Sequence, residues 1–193
     1  SSDVCSSDLV MLQRIESESL RMQVLVDDLL TLARLDDVPS TTRDDVDVAA
    51  LLAEASNDLR MLDPTRTVSF DADEMAIVSG DAGQLRQVFT NLCTNVVRHT
   101  PAGSAVECSV AVEHDTIVAS VRDHGPGVAE SDRARVFDRF WQADPARVGT
   151  GSGLGLAIVA AIVREHGGTV TVETPSDGIG ARFVVRLARR DSP

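Results

Sequence analysis

Asn91 and Asn95 stand four apart in a stretch that carries Leu85, Val88, Phe89, Leu92, Val96 and Val97 at helical spacing. Both amides therefore fall on one helix face. A neutral amide oxygen can ligate magnesium without adding charge beside a triphosphate, and magnesium needs few protein ligands when phosphates supply the rest. Arg98 follows one turn on and would reach phosphate oxygens as a charge-assisted donor. Taken alone, an asparagine pair on a helix is more often a capping or solvent-facing feature. Asp123 ends a predicted strand and is followed by Gly125 and Gly127. A buried carboxylate there can accept the amino hydrogen of adenine, and the glycines allow tight backbone turns against a base. Without that context, Asp-x-Gly-x-Gly reads as a plain β-turn. Gly149, Gly151, Gly153 and Gly155 lie before and within a helix start, where backbone N–H groups and the helix dipole form an anion site. No Gly-Lys-Ser/Thr follows, which separates the run from a P-loop. No long parallel βαβ order precedes it, which separates it from a dinucleotide fold. In a chain with five Phe and one Trp, Phe137, Phe140 and Trp141 form the only aromatic cluster. They are either a latch for a moving segment or ordinary core packing.

These residues need elements to position them. From about Val10 to Leu35 the pattern is helical: Ile15, Met22 and Leu29 recur at seven, Met11, Leu25 and Leu32 fill the intermediate positions, and Glu18 interrupts. Such a helix wants a partner, either another helix or its own domain. Residues 39–46 are polar, hold Pro39 and read as a linker. Asp47 caps a predicted helix over residues 48–62 and Asp81 caps the asparagine helix. Short strands are predicted at 67–70, 76–78, 106–112, 117–122, 169–173 and 182–187. A helix over 153–165 stops at Gly167-Gly168. Helices mixed with a largely antiparallel sheet give an α+β fold, a two-layer α/β sandwich preceded by one long helix.

Composition narrows the partners. With 193 residues, 43% hydrophobic, the chain holds one domain of ordinary size plus an appendage. A net charge of −12 and a pI near 4.6 argue against nucleic acid. The longest apolar run, Ala157 to Val163, is too short to span a membrane and reads as a buried helix face. Cys5, Cys93 and Cys108 show no metal-ligand spacing; Cys93 and Cys108 are expected as small core residues in a reducing, cytoplasmic setting. Residues 1–9 carry Asp3-Val4-Cys5-Ser6-Ser7-Asp8-Leu9, which back-translates to the end of a widely used sequencing adapter. They are read as an artefact and set aside.

In order, Asn91-Leu92-Cys93-Thr94-Asn95, Asp123-His124-Gly125-Pro126-Gly127, Phe137-Asp138-Arg139-Phe140 and Gly151-Ser152-Gly153-Leu154-Gly155-Leu156 resemble the ATP-binding domain of bacterial sensor histidine kinases, a GHKL-type or Bergerat fold. The segment from Leu25 to Asp36 resembles the second helix of that family's dimerisation and phosphotransfer hairpin. The resemblance implies a helix of that hairpin over 10–38, a linker over 39–46 and an ATP-binding catalytic domain over 47–190. It implies ATP and Mg2+ as ligands, with Asn95 holding the metal. Asn91, Arg98, His99, Asp123, Gly125, Gly127, Phe140, Gly151, Gly153, Leu154 and Gly155 would line the nucleotide, with residues 143–150 as a lid. Gly178 and Gly180 match the family's last glycine turn. His124 stands where the family has Asn, a mild departure at a turn.

The implied activity is transfer of the ATP γ-phosphoryl to a histidine and onward to a response-regulator aspartate. The intact parent would be a homodimer through the hairpin, anchored in the membrane by upstream segments. His99, His114, His124 and His166 are the only histidines, and none occupies an acceptor context, so the acceptor is expected outside this chain. Asn91 also sets it apart from hydrolysing relatives and anti-sigma kinases, which carry a glutamate there as general base. The alternative is a nucleotide-gated regulatory module without transfer activity; it predicts a lost binding motif, and all motifs are present.

Overall fold

The computed structural model describes residues 2–37, 43–72, 75–143 and 152–190. A long helix α1 (Ser2–Asp37) precedes strand β1 (Asp44–Asp47) and helix α2 (Val48–Leu62). Strands β2 (Val68–Ala72) and β3 (Ile77–Gly80) lead to α3 (Ala82–His99). The hairpin β4 (Val106–Glu113) and β5 (Thr116–Asp123) follows, then a short 3-10 turn, α4 (Gly155–Glu165), β6 (Thr169–Glu173) and β7 (Arg182–Ala188).

Both predicted caps form. The Asp47 carboxylate accepts from the Ala49 and Ala50 N–H groups, and Asp81 from those of Gly83 and Gln84. The five-stranded sheet runs β2-β4-β5-β7-β6. It is antiparallel except at one edge, where β2 pairs parallel to β4. A crossover through α3 produces that parallel pair. The polar stretch expected as a linker to residue 46 ends earlier: Asp44–Asp47 pairs antiparallel with β3 as a separate two-stranded ribbon. Val46 explains the change, since it is only 4% exposed and contributes to the core.

The apolar stripes of α2, α3 and α4 close over one sheet face. Leu52, Leu59, Leu85, Phe89, Leu92, Val96, Ile158 and Ile162 meet Val106, Cys108, Val121 and Phe183 there. Cys93 and Cys108 are buried within this core, as expected of small apolar residues.

The seam expected along α1 divides into two faces. Leu32 is 2% exposed, with Leu25 and Leu35 partly buried beside it against the domain core. Ile15, Met22 and Leu29 stay exposed on the adjoining face. Among the described residues no helix is long and apolar enough to cross a membrane.

Candidate nucleotide site

The site is assembled from α3, the end of β5 and the start of α4. α3 and α4 lie side by side. Asn91 and Asn95 are half-buried on α3, and the Asn91 amide nitrogen donates to the Gly155 carbonyl at 3.2 Å. Asn91 therefore ties the asparagine helix to the first residue of the glycine-led helix. Arg98 and His99 are exposed on the last turn of α3.

Asp123 is 6% exposed at the end of β5. Its Oδ1 accepts from Gly125 N–H at 2.8 Å and from Ala181 N–H at 3.3 Å. Burial holds its carboxyl above the ordinary range, against the pull of those two amides. The turn after it is backed by another. Gly180 has φ +75°, and a Cβ there would overlap the Asp123 carbonyl; a Cβ on Gly127 would stand 2.8 Å from the Gly180 carbonyl oxygen. Only glycine lets the two backbones touch. Arg122 fastens the outer turn through Asp177, and Glu107 bridges Arg122 and His124. His124 thus serves as a polar tie on the sheet side of the turn.

Gly153 has φ +70°, and a Cβ there would meet the Phe140 and Trp141 backbone at 2.8–2.9 Å. Its carbonyl accepts from Phe140 N–H at 2.9 Å. The aromatic cluster is thereby joined to the glycine run, and its two readings divide. Phe137 and Trp141 pack on the core, while Phe140, itself at φ +63°, is 59% exposed. A left-handed conformation at an exposed aromatic residue is uncommon. Leu154 is fully buried under α4. Gly151 and residues 144–150 of the expected lid lie outside the described residues.

Two side chains that the sequence did not single out enter here. Ser152 Oγ accepts from Leu154 N–H at 3.2 Å and donates to Asp28 of α1 at 3.0 Å. Burial raises the Asp28 carboxyl, with the Ser152 hydrogen bond and then Arg98 drawing it back down. No spacing rule could connect Asp28 to Ser152, because the contact spans 124 residues.

The donor set suits a nucleotide: a buried carboxylate for an exocyclic amine, amides and guanidinium on one helix, and an open helix start. Among the described residues no group of three His, Cys, Asp or Glu gathers around a metal position. Magnesium, which accepts an amide oxygen together with phosphates and water, fits these residues better than an ion needing an all-protein cage.

The model of the histidine kinase-, DNA gyrase B- and HSP90-like ATPases matches residues 80–191. The probable sensor histidine kinase TcrY of Mycobacterium tuberculosis is 38% identical over 179 residues, 91% of this chain and 37% of that protein. The ATP-binding domain of PrrB from the same species is 32% identical with a TM-score of 0.65, covering 78% of this chain and 99% of that one. ShkA, solved full-length with AMPPNP, is 30% identical with a TM-score of 0.74 over 94% of this chain and 40% of that one. The chain belongs to this ATPase family, as an ATP-binding domain of the sensor histidine kinase type. It spans about two-fifths of the length of the curated relatives it matches.

Proposed function

We propose that this chain binds ATP for phosphoryl transfer to a histidine supplied from outside it, in a two-component relay that ends on a response-regulator aspartate. Asp123 accepts the adenine amino hydrogen. Arg98 and the N–H groups at the start of α4 receive phosphates. Asn95 is the protein ligand of Mg2+, which when bound offsets phosphate charge. Asn91, as an amide donating to Gly155, has no proton-accepting capacity for water, so the site favours transfer over hydrolysis. His166 is an unsuitable acceptor, since its two ring nitrogens are engaged by the Ile162 carbonyl and the Asp81 N–H. The hairpin reading of residues 10–38, the homodimer it implies and an anchored parent belong to the same proposal.

The observation that supports this reading most is the buried Asp123 carboxylate, oriented by two backbone amides. Calorimetry with ATP, ADP and GTP tests it. Asp123→Ala is expected to remove detectable ATP binding, because it deletes the group facing the base and strands its amine at a cost of about 1–3 kcal/mol or more. Unchanged affinity, or GTP bound as tightly as ATP by the parent chain, sinks the assignment.

A further inference from the structure

Arg66 lies in the connection between α2 and β2, outside every motif, and its side chain is 1% exposed. A buried guanidinium persists only when its donors are matched. Its Nε donates to Asp63 at 2.7 Å. One terminal nitrogen donates to Thr100 Oγ1 at 2.6 Å and approaches the Ser104 carbonyl at 3.5 Å; the other donates to the Thr100 carbonyl at 3.3 Å. The guanidinium therefore holds both ends of one residue, its hydroxyl and its carbonyl, and Lys could not reproduce that fork.

Thr100 is the residue after the last turn of α3. Its N–H and its hydroxyl both donate to the Val96 carbonyl. Its methyl group faces the turn that follows Asp123: a Cβ on Gly125 would stand 2.5 Å from Thr100 Cγ2. The Gly125 N–H in turn donates to Asp123 Oδ1. A continuous line of contacts thus runs from Arg66 through Thr100 and Gly125 to the carboxylate. Each member is buried or half-buried.

We infer that Arg66 is a positioning residue for adenine selection: its two-point hold on Thr100 sets the surface against which the Gly125 turn rests, and so the aim of Asp123. The same hold fixes the end of α3 directly after Arg98 and His99, so one buried cation registers the adenine end of the site against the phosphate end. It also sits at the negative pole of α3, where a cation is favoured. This inference rests on the reading of Asp123 as the adenine contact.

The test compares ADP and GDP affinities by calorimetry, together with thermal unfolding, for the full chain and three variants. Arg66→Lys keeps the charge and loses the fork. Thr100→Val keeps the methyl contact with Gly125 and removes the hydroxyl that Arg66 grips. Asp123→Asn keeps one oxygen for the Gly125 and Ala181 amides and puts an amide group where the carboxylate would meet the base. Arg66→Lys and Thr100→Val are each expected to lower the ADP-over-GDP preference about tenfold, the factor set by one misplaced hydrogen bond of roughly 1.4 kcal/mol. The amide of Gly125 should exchange faster with solvent in both. A preference that stays within about twofold of the parent's while the melting temperature falls would make Arg66 purely structural and overturn the proposal. Should Arg66→Lys fail to fold, Thr100→Val decides by the same criterion. If the parent chain shows no preference for ADP, or Asp123→Asn leaves the preference intact, the adenine reading itself is at fault and the proposal falls with it.

Discussion

The two ends of the nucleotide site are built differently. The end we assign to adenine is a stack of backbone turns: Asp123, Gly125 and Gly127 lie on Gly180, with Thr100 behind them. Its geometry follows from van der Waals exclusion at positions where any side chain collides, and its charges are tied down by Arg66 and Arg122. The end we assign to the phosphates is made of side chains reaching between helices. Asn91 meets the Gly155 carbonyl, and Ser152 meets Asp28 of a helix that is otherwise largely exposed. A surface built of backbone contact has one arrangement, because packed interiors resist small displacements. A surface held by single hydrogen bonds worth about 1 kcal/mol each can open and close at thermal cost. Selection of the base suits the first kind, and passage of a phosphoryl group the second.

The largest expected effect tests the rigid end. Gly180→Ala places a methyl group on the Asp123 carbonyl in a left-handed backbone and should destabilise the domain by about 3 kcal/mol or more, with loss of adenine binding. Gly178→Ala, at φ +74° with nothing within 4 Å of the added carbon, should cost only the conformational strain of about 1 kcal/mol. Thermal unfolding of the pair measures the difference. Equal costs would mean that contact contributes nothing at the adenine turn and that both ends of the site are equally soft.

A smaller effect probes the adaptable end. Among the described residues of α1, Leu32 is the fully buried anchor, so Leu32→Ala should weaken the docking of that helix by about 2–4 kcal/mol. The residues around 25–35 should then become sensitive to protease while the sheet stays folded. Simultaneous loss of both would show that α1 is an integral layer of the domain, and the contrast between the two ends would disappear.

The smallest effect is a pH dependence of the same contact. Burial raises the Asp28 carboxyl when α1 is docked, so the docked state binds the proton more tightly than the released state. Docking is therefore strongest below the ordinary carboxylate range and weakens as pH rises through the raised value. Protease protection of α1 should fall over that interval in the parent chain and stay flat in Asp28→Asn. A protection that instead grows with pH would reverse the assigned sign and make the Ser152 bond, with Arg98, the dominant influence on Asp28.

Local periodicity and capping were enough to place most elements in the sequence. The spacing of Leu85 to Val97, the caps Asp47 and Asp81, and the alternation in residues 106–122 depend on neighbours a few positions apart, and each of these elements forms within a residue or two of its expected bounds. The family and its four motifs were likewise legible, because glycine and asparagine at fixed offsets are short-range signals. Two local readings moved for tertiary reasons. Val46 found a core to enter and drew the end of the linker into a strand. The single heptad seam of α1 became one face for the domain and one for solvent, because Leu25 and Leu32 pack on the domain core while Met22 and Leu29 do not.

By itself, the sequence determined that the chain carries a nucleotide-binding motif set, a helix-over-sheet fold and an asparagine where a hydrolysing relative has a base. The first two follow from residue type and spacing along the chain, and the last from the family resemblance those motifs carry. Tertiary structure alone decided that Arg66 stands behind Thr100, that Asp28 reaches Ser152 and that Gly180 meets Asp123. Those contacts join residues 34 to 124 positions apart in the chain. Such pairings come from how α3, α4 and the sheet close on a shared core, and no local pattern encodes which side chains that closure brings together.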